Sequence, residues 1–209
     1  MSAATIKTQD DLMQEAQHLA ALCPRMAYAL EILEPLRSRQ RSDGFGALAQ
    51  IIVGQQISIS AANAIWQRLE IAGFITPSAV SRAGDADLRS CGLSGQKIKY
   101  MTALARAEID YQSFHAQSDE DVRAQLLPIT GIGPWSVDIY LMFCLGRADV
   151  MPSGDLALQV GAQMLYDLPE RPTAKALAQH SDAWRPHRSV AAHILWAYYA
   201  YVKNKEGIL

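Results

Sequence analysis

Cysteine is scarce in this chain of 209 residues: Cys23, Cys91 and Cys144 stand far apart. An iron–sulfur cluster needs four grouped cysteines, and a zinc site needs His, Cys, Asp or Glu at ligand spacing. Neither pattern is present, so no iron–sulfur cluster is expected, and His180, His187 and His193 read as surface or packing residues. The isolated cysteines read as reduced, buried thiols, which fits a cytoplasmic location, nucleoid-associated if the source is bacterial. No uninterrupted apolar run is long enough to span a bilayer, and Met1 to Lys7 lacks the apolar core of a signal peptide. No membrane partner is expected. Positive charge is not in excess either: 19 Lys and Arg stand against 21 Asp and Glu, for a net charge of −2. A broadly basic nucleic-acid protein is thereby disfavoured. Alternating apolar and polar residues are also missing. The one candidate strand, Gly73 to Thr76, is too short to build a sheet. No repeat of fixed period is present.

What remains is helical punctuation around an apolar half: 50% of the residues are hydrophobic and 19% charged, as in a globular domain large enough to bury a core. Apolar periodicity predicts helices over residues 10 or 11 to 22, 26 to 36, 45 to 53, 61 to 71, 77 to 81, 85 to 90 and 95 to 111. Others follow over 119 to 127, from 134 inward, and over 155 to 166, 173 to 179 and 188 to 202. Ser58 or Ser60 is positioned to cap one of them, and Gly73 ends it. The expected class is all-α.

The densest information lies in Leu127-Pro128-Ile129-Thr130-Gly131-Ile132-Gly133-Pro134-Trp135, followed by Asp155. Ser118 can cap the helix before it, with Asp121 three residues on, close to a capping box. Val122 and Leu126 mark its apolar face. Pro128 discourages continuation, and Pro134 suits the first position of the next helix. Between them Gly131 and Gly133 expose backbone N–H groups at a helix start, a way to hold a phosphate without a cationic side chain. Ile132 would plug into the core and pin the turn. Gly-x-Gly alone is a weak signal. The whole order, apolar helix, Leu-Pro, Gly-Ile-Gly, Pro, apolar helix, then Gly154-Asp155, is more specific.

Leu127 to Leu145 resembles the helix-hairpin-helix of the base-excision DNA glycosylase superfamily. Two further segments agree. Val53-Gly54-Gln55-Gln56-Ile57-Ser58 is similar to the family's segment facing the DNA minor groove. Trp184-Arg185-Pro186-His187-Arg188-Ser189, ending at Trp196, is similar to the closing helix of the 3-methyladenine DNA glycosylase II, or AlkA-type, branch. The resemblance runs from about residue 45 to residue 200. It implies two helical lobes: residues 45 to 148, carrying the hairpin at about 119 to 145, and residues 1 to 44 plus 149 to 209. The cleft between them is the expected site. An N-terminal β domain found on some relatives has no room here.

The resemblance also implies a chemistry. Such enzymes flip the damaged nucleotide out of duplex DNA into a pocket. Glycosidic cleavage then develops oxocarbenium character on the sugar, which a carboxylate stabilises. Asp155 is the residue for this role. It is equally placed to cap the helix that follows, and a cap would hold the carboxylate still. Strand-cutting members carry a Lys at the hairpin position occupied here by Trp135. A Schiff base needs that amine, so a monofunctional glycosylase without lyase activity is implied. Trp135 and Trp196 are implied as pocket residues, since an indole face attracts a cationic base. Tyr140 is a third candidate, with core packing as its alternative. Gln55, Gln56, Gly131, Ile132 and Gly133 are the expected DNA contacts. Gln56 stands where some relatives place an apolar wedge. Lys97, Lys99, Arg147, Arg185 and Arg188 are the candidate local cations, each equally readable as a surface charge. No cofactor is required. The family's hairpin carbonyls hold a monovalent cation, by position those of Leu127, Ile129 and Ile132. The implied partner is damaged double-stranded DNA, bound by a monomer with modest, salt-sensitive affinity. The implied substrates are alkylated purines, 3-methyladenine and 7-methylguanine. Two other functions fit the same residues: a non-catalytic damage-binding module, and a glycosylase for deaminated or oxidised bases.

Overall fold

A computed structural model describes residues 5–205. Among them are twelve α-helices, two short 3-10 helices and no strand, only an isolated bridge between Thr5 and Arg147. The all-α expectation holds. The chain divides into two compact units: Arg41–Tyr140, and the segments on either side of it.

The flanking segments supply α1 (Gln9–Leu22), α2 (Pro24–Ile32), α10 (Leu156–Tyr166), α11 (Ala174–His180) and α12 (Arg188–Lys205). Thr8, rather than an aspartate, caps α1: its hydroxyl accepts from Asp11 N, and the Asp11 carboxylate accepts from Thr8 N. The helix expected to reach Leu36 stops at Ile32. Pro35 has no N–H, and its ring would meet the carbonyl four residues back. Helices α10 and α12 pack face to face. Their approach depends on Gly161, where an added Cβ would lie 2.6 Å from the Leu195 carbonyl oxygen. Trp184, in the 3-10 turn Ser181–Trp184, is fully buried, and its indole N–H donates to the Tyr166 hydroxyl at 3.1 Å.

The Arg41–Tyr140 unit contains α3 (Phe45–Gly54), α4 (Ile59–Ile71), α5 (Pro77–Arg82), α6 (Asp85–Ser90), α7 (Gly95–Ala105) and α8 (Asp119–Leu126), and most of α9 (Pro134–Phe143). Helix α3 is the core element: seven of its ten residues are buried, and it packs against α4 and α7. Ser58, not Ser60, caps α4 by accepting from Ala61 N. Helix α7 ends at Ala105, short of the expected residue 111, and a 3-10 turn over Tyr111–Ala116 buries Phe114.

Candidate active site

The hairpin forms as its residues dictate. Ser118 accepts from Asp121 N at 3.1 Å and donates to its carboxylate, starting α8, which stops one residue before Leu127. Ile132 N donates to Ile129 O at 3.0 Å, closing the turn, and the Ile132 side chain is buried. Gly131 has φ +96°, a conformation that L side chains avoid. A Cβ there would also sit 2.1 Å from Cγ of Tyr100, so the Tyr100 ring occupies the space that glycine leaves. At Gly133 a Cβ would meet nothing within 4 Å. The two glycines therefore differ: Gly131 is required by the fold, while Gly133 leaves an open approach to the backbone.

Gln55 is held by the hairpin. Its side-chain amide donates to the Gly131 carbonyl at 3.0 Å and to Ser136 Oγ at 3.2 Å. It ties the end of α3 to the hairpin. The next residue, Gln56, is exposed with φ +58°, a left-handed conformation that a residue with a Cβ adopts only under local constraint. Ile57, before α4, and Ile59, its first residue, are exposed, as are Leu127 and Trp135 on the hairpin. The two isoleucines were not among the sequence candidates. Their only signal was apolar character beside the paired glutamines.

Of the expected aromatic residues, Tyr140 is corrected. It is fully buried, its ring meets Phe114 edge-on at 6.1 Å, and its hydroxyl accepts from Gly44 N at 3.1 Å. It is a core residue held by a satisfied hydroxyl. Trp135 is 36% exposed at the start of α9.

In the flanking unit, Asp155 is the N-cap of α10, and its Oδ1 accepts from Leu158 N at 3.1 Å. The same oxygen accepts from the indole N–H of Trp196 on α12 at 3.1 Å. Close packing of α10 on α12 at Gly161 makes this bond reachable. Cap and functional placement thus coincide: the carboxylate sits at the positive end of a helix dipole and is aimed by an indole. Around Trp196 lie the Phe143 ring, centroids 5.8 Å apart, and the Arg39 guanidinium, 5.4 Å from its centroid. The second contact places a cation over the indole ring. His193 packs edge-on against Phe143 at 5.4 Å, and burial, helped by Arg39, pushes its pKa down to about 4.

Comparison with known proteins decides the family. The HhH-GPD superfamily of base excision DNA repair proteins matches residues 49–186. This chain belongs to that superfamily. DNA-3-methyladenine glycosylase 1 of Schizosaccharomyces pombe is 33% identical over 171 residues, 78% of this chain and 75% of its own length. Among solved structures, the S. pombe 3-methyladenine DNA glycosylase in complex with abasic DNA superposes with a TM-score of 0.77 at 31% identity. It covers 88% of this chain and 95% of its own. A DNA-3-methyladenine glycosidase from Bacillus halodurans gives 0.79 at 30% identity, covering 98% and 95%.

Within this HhH-GPD protein the expected cations are largely spent on the fold. Arg188 donates to both carboxylate oxygens of Asp149 and to its carbonyl, and Arg185 donates to the same carboxylate at 3.0 Å. Lys97 donates to the Val53 carbonyl, and desolvation lowers its pKa. Arg147 is buried. Lys99 is exposed. Cys91 and Cys144 are buried as expected, whereas Cys23 is half-buried with its thiol 3.1 Å from the Tyr166 hydroxyl.

Proposed function

We propose that this protein is a monofunctional DNA glycosylase of the AlkA-type branch, acting as a monomer that flips alkylated purines from duplex DNA and hydrolyses their N-glycosidic bond. One observation carries the reading. Asp155 is held by both a helix N-terminus and the indole of Trp196, in a superfamily of base excision repair proteins. S. pombe and B. halodurans relatives named as 3-methyladenine glycosylases support the substrate class.

The chemistry follows from charge. In 3-methyladenine the base is already cationic. When the C1′–N bond breaks, the electron pair leaves with the base, which departs neutral. Positive charge passes to the sugar as an oxocarbenium ion. The Asp155 carboxylate, fixed by its two hydrogen bonds, stabilises that charge and orients the water that adds at C1′; the water's proton passes to solvent. No acid is needed to protonate so good a leaving group. Trp196, beside Asp155, has an electron-rich ring of the kind that a cationic base can use, over which Arg39 lies. Gly131 and Gly133 hold a phosphate through backbone N–H groups, whereas the Ile132 N–H is spent on Ile129 O and its side chain only pins the turn. Gln56, exposed and pinned in a left-handed turn, is suited to filling the space a flipped base leaves. Gln55 acts indirectly, by fixing the hairpin. A monovalent cation at the turn is part of the same proposal; Ile129 O accepts Ile132 N with one of its two lone pairs. The carbonyls of Leu127, Ile129 and Ile132 would hold the cation, which would add positive charge facing the phosphate.

The decisive experiment is release of free base from duplexes carrying 3-methyladenine, 7-methylguanine, a deaminated base or an oxidised base. Release of the alkylated purines with an intact abasic strand is expected. Borohydride added during turnover should trap no protein–DNA adduct, because the hairpin offers Trp135 where a Schiff base needs an amine. A trapped adduct, or preferred release of the oxidised base, refutes the assignment.

A further inference from the structure

Glu15, His18 and His187 take no part in base excision as described above, yet their side chains converge. Glu15 and His18 are one turn apart on α1, so they project from one side of that helix. His187 comes from the other end of the chain, immediately before α12. Its backbone is held on both sides: its N–H donates to Trp184 O at 2.7 Å, and its carbonyl accepts from Ala191 N at 3.1 Å. The Glu15 carboxylate reaches both imidazoles. Oε2 lies 2.5 Å from Nδ1 of His187, and Oε1 lies 3.6 Å from Nδ1 of His18. One ligand atom from each of the three residues falls within 4.8 Å of the others.

We propose that Glu15, His18 and His187 form a binding site for one divalent transition-metal ion of the zinc type. Zinc binds imidazole nitrogen and carboxylate oxygen at about 2.0–2.2 Å, which puts two tetrahedral ligand atoms roughly 3.4 Å apart. Glu15 Oε1 lies 3.6 Å from His18 Nδ1, already near that separation, while the 2.5 Å contact of Oε2 with His187 Nδ1 would have to open to admit the ion. Two nitrogens and a carboxylate select zinc, nickel or copper over magnesium and calcium, which prefer shells made of oxygen. Three protein ligands leave a fourth position for water. Glu15 and His187 are largely covered, with side chains 19% and 13% exposed, while His18 at 52% provides an entry path. The ion would join the first helix to the last across 172 residues of sequence. It would stabilise the folded chain by binding it alone.

Calorimetric titration of the untagged protein with zinc should give one ion per chain. Cobalt should give the visible absorption of a tetrahedral nitrogen–oxygen site. Zinc should raise the melting temperature of the wild type. His18→Ala changes a half-exposed side chain, and its metal-free melting temperature should match that of the wild type. Its zinc affinity should fall at least tenfold, and the zinc-induced rise should vanish. Glu15→Gln and His187→Ala should weaken binding likewise. If the wild type takes up no zinc, or if His18→Ala and His187→Ala bind it as tightly as the wild type, the triad is an ionic clamp only and the proposal is wrong.

Discussion

Replacing Asp155 with Asn separates the structural role of this side chain from its chemical one. Asp155 Oδ1 accepts two bonds, from Leu158 N and from Trp196 Nε1, both at 3.1 Å. An asparagine carbonyl can accept the same two, and Asn caps helices about as well as Asp. The cap is therefore kept, and folding stability should fall by no more than about 1 kcal/mol, the worth of the charge at the helix N-terminus. The negative charge, in contrast, is gone. Losing one preorganised group that stabilises transition-state charge costs roughly 3–4 kcal/mol, or about 10²–10³ in rate. Single-turnover release of 3-methyladenine should fall by that factor, while the melting temperature and the affinity for damaged duplex stay near wild type. Asp155→Ala provides the contrast. It loses the cap, worth about 1 kcal/mol, which in a chain of this size is roughly 2–4 °C of melting temperature. It also leaves the Trp196 indole N–H without its acceptor. Base release by Asp155→Asn within tenfold of wild type, at unchanged stability, would sink the catalytic assignment and leave Asp155 as a cap alone.

Four further outcomes are expected. Gly131→Ala should lose roughly 2–4 kcal/mol of stability, from its left-handed φ and from overlap with Tyr100. Gly133→Ala should fold normally yet bind damaged and undamaged duplex equally weakly; unaltered DNA binding by Gly133→Ala would make the hairpin a mere connector. Trp196→Phe keeps an aromatic ring but removes the donor to Asp155. Because hydrogen bonds to charged groups are worth about 1.5–3 kcal/mol, base release should slow by roughly 10- to 100-fold, and an unchanged rate would show that the bond does not position the carboxylate. His193 gives a pH signature. Its folded pKa of about 4 lies below the ordinary His value, so the unfolded chain binds a proton that the folded one excludes. Its contribution is complete above about pH 6.5 and is lost as pH falls towards 4. By pH 5 the loss is about 2 kcal/mol, and urea denaturation at pH 5 and pH 7.5 should show a drop that His193→Gln reduces by that amount; equal slopes in the two proteins would refute it.

The sequence by itself determined the elements and the chemistry-bearing turn. Caps at Ser58, Ser118 and Asp155, prolines at helix starts and the Leu-Pro…Gly-Ile-Gly-Pro order act within a few residues, so local physics reads them. Asp155 was legible because its cap and its place after the hairpin are both matters of chain order. Partners distant in sequence were not legible. Periodicity marks Tyr140 as inward or pocket-facing without distinction, and only the fold brings Phe114 and Gly44 to it. Gln55, Lys97, Arg185 and Arg188 have the donors to meet DNA, but the tertiary structure pairs them with Gly131, Val53 and Asp149. The Asp155–Trp196 bond needs α10 and α12 to touch at Gly161, and the Glu15–His187 contact needs the two ends of the chain to meet. A hydrogen-bonding group announces its capacity in the sequence. Which partner it finds depends on loop closure over tens to hundreds of residues, whose cost is repaid by burial of the whole core.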